Sequence, residues 1–212
     1  MRVLEVDERD SSWENSAPRF RLYVFDGAAN AVTTLDFLDA QIHDVLEAAN
    51  LASADGRLWS IALVVDSESD GRGLVWISGM DYNSIPTTPT EWRMRAAMQD
   101  RYLMAKSQRG EEPLLPDGRR VIRVFPDHCH PWPLWESFSG KYTKSPADYG
   151  LSSSLTDGLR HWYDEWERRG IDWHPDDRWL QRGHRLVELM RVEVGDVAEI
   201  RPEFDRRHGD PA

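Results

Sequence analysis

The stretch "LWSIALVVD", residues 58–66, is almost unbroken in its apolar character. A strand reads this way when both of its faces are covered, so this segment needs neighbours and places a central strand in the fold. After a polar turn, "GLVWISGM" (73–80) supplies one such neighbour, and the two segments predict a hairpin. "RFRLYVF" (19–25) alternates and is rich in aromatic and β-branched residues, as a half-buried strand should be, and it ends at Asp26-Gly27. Further strands are predicted at "RRVIRVF" (119–125) and "VAEIR" (197–201).

Helical spacing appears between and after these strands. Leu38, Ile42, Val45, Leu46 and Ala49 predict a helix over 35–50, with Thr33 or Thr34 as its cap. Thr90 is placed to cap a second helix lined by Met94, Met98, Tyr102 and Ala105. Leu155, Leu159, Trp162 and Trp166 form the stripe of a third helix, stopped by Gly170. A fourth carries Trp179, Leu186, Val187, Met190 and Val194 and stops at Gly195. Gly183 lies in that stripe, where a missing side chain permits close helix packing at about 1 kcal/mol of helix propensity.

A hairpin of consecutive strands followed by grouped helices predicts an α+β fold: a mainly antiparallel sheet of four to five strands, helices packed on it, and a C-terminal helix pair. At 212 residues the chain reads as one domain, 1–212, with a soft subdivision into a strand-rich part, 1–140, and a helical part, 141–212.

Composition limits the function classes. A net charge of −11, from 37 acidic and 26 basic residues, repels phosphate backbones and argues against nucleic-acid binding, while it is permissive for a basic protein partner. No apolar run approaches the length of a membrane span, and the acidic N-terminus lacks the apolar segment of a signal peptide, so a cytoplasmic location is expected. The single cysteine, Cys129, fits a reducing compartment. Lysine occurs only at 106, 141 and 144, an arginine bias expected of a GC-rich genome.

The densest concentration of chemistry-bearing residues is "PDHCHPWPLWESF", 126–138. On an extended backbone His128 and His130 point to one side and Cys129 to the other, so the two imidazoles form two-thirds of a zinc site whose third ligand must come from elsewhere, with His161 and His174 available. The alternative is a stiff aromatic junction, in which Pro131 and Pro133 hold Trp132 and Trp135 over the core and the imidazoles bond locally. "DSESDG" (66–71) resembles the start of a calcium loop, but Ile77 stands where the bidentate glutamate belongs, so an acidic hairpin turn is the better account. "MDYNS" (80–84) presents Asp81, Tyr82 and Asn83 after a strand, as polar recognition or as ordinary turn residues. His161 and Glu165 stand one helical turn apart, at surface-pair spacing. There is no HExxH, paired CxxC, glycine-rich phosphate loop or GxSxG elbow.

Leu134, Trp135, Tyr149-Gly150-Leu151, Leu155, Leu159, Trp162, Trp166 and Gly183 carry one resemblance. Over roughly its last 75 residues the chain resembles the C-terminal region of uncharacterised actinobacterial proteins, some of which look like immunity proteins of toxin systems. The matched positions are packing residues, and the resemblance brings no catalytic residue with it.

Two functions are therefore carried forward. The first is a non-enzymatic, cofactor-free cytoplasmic protein that binds a basic protein, such as a toxin occluded by its immunity partner. Its expected contacts are Asp66, Glu68 and Asp70 for steering, with Tyr82, Trp132 and Trp135 as exposed aromatic anchors. The second is a metal-dependent hydrolase or transferase with its site near His128 and His130.

Overall fold

The protein is described here by a computed structural model covering residues 3–11, 13–67, 70–169 and 173–205. The fold is α+β, and the chain divides into two compact units, Arg2–Asp117 and Gly118–Ala212. The division falls upstream of the expected subdivision between 140 and 141, because the strand after Asp117 pairs with segments later in the chain.

The first unit contains an antiparallel sheet in the order β2-β1-β3-β4, formed by β1 (Arg19–Asp26), β2 (Ala31–Phe37), β3 (Leu58–Ser67) and β4 (Gly71–Ser78). The apolar run 58–66 is central, as its composition requires, and β4 is its hairpin partner. Helix α1 (Ile42–Ala54) packs Val45, Ala49 and Ala52 against Phe20, Leu22, Val24, Trp59 and Ile61. Trp59 completes that seal by donating its indole N–H to Ser53 Oγ at 2.6 Å.

Two sequence expectations need correction in this unit. Residues 35–37 continue β2 instead of opening a helix, because Leu35 and Phe37 pair with Leu22 and Phe20 across the ladder. Helix α2 (Pro89–Gln108) is capped by Thr88, not Thr90: Thr88 Oγ1 accepts from the Glu91 N–H, and the Glu91 carboxylate accepts from the Thr88 N–H at 2.9 Å. Pro89 then occupies the first helical position, where its missing donor costs nothing.

The second unit holds a mixed four-stranded sheet, β7-β6-β5-β8, made of β5 (Arg120–Val124), β6 (Leu134–Trp135), β7 (Thr143–Lys144) and β8 (Ala198–Pro202). The β5–β8 pair is parallel, and the others are antiparallel. Helices α3 (Ser153–Arg169) and α4 (Asp177–Val194) form the expected C-terminal pair. Leu155, Leu159, Trp162, Trp179, Val187, Met190 and Val194 meet Ile122, Val124, Leu134 and Ile200 in one core. Gly183 lets the helix pair close: a Cβ there would lie 2.7 Å from Phe204 ring atoms and 2.8 Å from Trp162 Cζ2. Gly170, the expected stop of α3, and Glu68 lie outside the described residues.

Candidate functional site

The 126–138 junction is a tight turn followed by a short strand, not an extended run. Asp127 Oδ1 accepts from the Cys129 N–H at 2.8 Å, and the Asp127 carbonyl accepts from the His130 N–H at 3.3 Å. This corrects the geometry in which the two imidazoles share one side. His128 packs on the Trp166 ring, with centroids 4.3 Å apart. His130 Nε2 lies 2.7 Å from the Lys144 carbonyl, so that nitrogen carries the proton and donates, and it is not a free metal ligand. Among the described residues no group of three or more His, Cys, Asp or Glu side chains is placed to hold a metal ion.

Hydrogen bonding to Asp127, together with its negative charge, pushes the exposed Cys129 thiol above its ordinary range, away from nucleophilic thiolate. His161 Nδ1 bonds the Asp157 carbonyl at 2.7 Å, and Glu165 pairs with Arg182 and Arg169, so the His161–Glu165 pair does not form.

Two of the three expected aromatic anchors are core residues. Trp135 is 4% exposed, stacks on Phe125 at 5.0 Å and donates its indole N–H to the Phe125 carbonyl at 2.8 Å. Tyr82 is 5% exposed, lies under the Arg95 guanidinium at 3.9 Å, and its hydroxyl accepts from Gln99 Nε2 at 2.9 Å. Both are corrected from anchor to packing residue: an indole or phenol ring that finds apolar neighbours and a bond for its polar tip is already satisfied. Trp132 is half-buried beneath Arg160, whose guanidinium sits 4.1 Å from the ring centroid and bonds the Pro131 carbonyl at 3.0 Å.

At the far end of the junction lies a cluster that sequence reasoning missed. The buried Glu136 carboxylate receives Arg120 Nη1 at 2.7 Å, Lys144 Nζ at 3.0 Å and the Tyr149 hydroxyl at 2.8 Å. Burial alone pushes this carboxyl up, but the bonds from Tyr149, Arg120 and Lys144 together outweigh it and hold the group below its ordinary range. Burial, reinforced by the bond to Glu136, raises the Tyr149 hydroxyl. A carboxylate with three donors is committed to joining β5, β7 and the turn at 146–149, and it has little basicity to offer a substrate. An acidic residue inside "PLWESF" was the available signal, since a charge in an apolar run needs a partner.

In the first unit, Asp66 pairs with Arg72 Nε at 2.7 Å, and Asp70 closes the hairpin turn through Ser67 Oγ at 3.3 Å. Beyond them β4 exposes Leu74 (37%), Val75 (53%) and Ile77 (50%). A depression of about 370 Å³ near the ends of α1 and α2 is lined by Asp55, Tyr102, Lys106, Arg109 and Glu111. Its arginine is occupied: Arg109 donates to the Ser53 and Ala54 carbonyls at 3.1 and 2.9 Å and pairs with Glu111 at 2.6 Å.

Charge is unevenly divided. Arg2–Asp117 holds 20 acidic and 11 basic residues, a net −9, whereas Gly118–Ala212 holds 17 and 15, a net −2. No helix among the described residues is long and apolar enough to cross a membrane. Comparison with protein-family models, curated proteins and solved structures finds no match to this chain.

Proposed function

We propose that the protein acts in the cytoplasm by binding a basic protein partner through its first unit, without a cofactor. The observation that carries this reading is the coincidence, in one unit, of a net −9 and an exposed apolar strand. Acidic groups raise the encounter rate with a basic surface, and apolar side chains supply affinity once water is expelled. Occlusion of a toxin by an immunity protein is one form of this activity, in keeping with the resemblance of the C-terminal region. The hydrolase alternative near His128 and His130 lacks its third ligand: among the described residues no group of three or more His, Cys, Asp or Glu side chains is placed to hold a metal ion.

Capture from lysate of the native source at low salt, followed by reconstitution with the purified candidate, tests the proposal. A basic protein that binds at about 50 mM salt and weakens roughly tenfold or more by about 500 mM fits the account. Binding of only acidic partners, or affinity unchanged by salt, overturns it.

A further inference from the structure

We infer that the outer edge of β4, over Gly71–Trp76, is a docking edge to which an extended basic segment of the partner adds as a further strand. This inference rests on the reading that the protein binds a basic partner, and it names where and how.

An edge strand presents a row of unsatisfied N–H and C=O groups, and folded proteins usually blunt it with charge, proline, a short length or a bulge. The two edges of this sheet differ in how they are blunted: β2 carries an acidic residue, whereas β4 carries one arginine near its hairpin end and an irregularity at Ile77 that bounds its regular stretch. On β2, Asp36 stands directly across from Arg21 and is clasped by Arg21 and Arg19 of β1, which holds its carboxyl well below the usual range and sets a charged cluster over the β1–β2 ladder. On β4 the residues Leu74, Val75, Trp76 and Ile77 follow one another with no acidic residue, lysine or proline in the whole strand. Its one charge, Arg72, is drawn across the hairpin to Asp66.

The local geometry sets the length of the docking edge. Trp76 pairs with Ala62 and Ser78 with Ile61, so Ile77 is an extra residue that interrupts the ladder. Regular pairing is therefore available over six residues, roughly 20 Å at about 3.3 Å per residue. Among the described residues β3 is the only ladder neighbour of β4. Val75 lies opposite Leu63 on the face that α1 packs, half-exposed and open to an apolar side chain from an added strand.

Charge decides which occupant fits. A second copy pairing edge to edge would bring two units of net −9 each into contact, so like charge between the units opposes it. A segment alternating apolar residues with lysine or arginine meets the ladder, the Val75 shelf and the acidic unit together.

The experiment uses the full chain and, as probe, a capped decapeptide alternating lysine and valine, followed by fluorescence anisotropy at low salt. A control peptide of the same sequence carries N-methyl groups on alternate amides, which keeps its charge and removes its ladder donors. The expected result is that N-methylation and Val75→Lys each weaken binding about tenfold or more, while Leu35→Lys on the opposite edge weakens it less than about threefold. Equal binding of both peptides, or equal losses in the two variants, overturns the docking edge and leaves general acidity as the basis of partner binding. Absence of peptide binding overturns it as well, as does a dimer in sedimentation that Val75→Lys dissolves. Lysate capture of a basic partner stands or falls separately.

Discussion

Trp162 and Trp179 stack with ring centroids 4.2 Å apart, and each indole N–H donates to the other residue's backbone carbonyl at 3.1 Å. The two rings thereby join α3 to α4 in a reciprocal clasp with both polar tips satisfied, and Phe204 closes on both edge-on. Replacing Trp162 by Phe removes the indole donor to the Trp179 carbonyl, which keeps its helical bond, and removes stacked area, a loss of about 1–3 kcal/mol. Urea unfolding followed by circular dichroism reads this, and the Trp162→Phe, Trp179→Phe double variant should be markedly less destabilised than the sum of the singles.

Gly183→Ala offers the opposite disturbance. Helix propensity favours alanine by about 1 kcal/mol, but the added Cβ enters the space held by Phe204 and Trp162. Overpacking of about 1–3 kcal/mol should win, lowering the melting temperature; a rise would show that these rings yield freely.

The Glu136 cluster makes a pH prediction. Its carboxyl is lowered on folding, so the stability it contributes is present above the unfolded value of 4.5 and is lost as pH falls through the lower folded value. The Glu91 capping carboxylate adds to the same window, because bonds from Thr87 and Thr88 hold it at about 2. Glu136→Gln should therefore destabilise at pH 7 and flatten the decline of stability below pH 4.5, measured by denaturant midpoints across pH.

His130→Ala separates the two accounts of the histidine pair. It removes the bond to the Lys144 carbonyl and the ring contact with Trp135, so about 1 kcal/mol of stability should be lost. Zinc binding to protein purified without a histidine tag should be the same weak background in the parent and the variant; stoichiometric zinc lost in the variant would restore the metal reading.

Much of this architecture was legible in the chain because burial writes itself as periodicity. The continuous run 58–66 required a central strand, and the Leu155–Trp166 and Trp179–Val194 stripes required two helices with one shared core. Strand β2 escaped because an edge strand exposed along most of its length has no reason to alternate, and its apolar residues ran on into the helical spacing of α1. The parallel β5–β8 pair joins residues nearly 80 positions apart, which no local pattern records. Tyr82 and Trp135 were misplaced for a related reason: an aromatic ring beside polar turn residues reads as exposed until the ring that packs against it, Phe25 or Phe125, is brought there by the fold.

The central claim is that a basic partner docks along β4. Amide hydrogen exchange of the protein, free and saturated with its captured partner, tests it most directly. New protection concentrated at Gly71–Trp76, with β2 amides unchanged, is the predicted result. Protection confined to the second unit, or spread evenly over the acidic surface with none at β4, would contradict it.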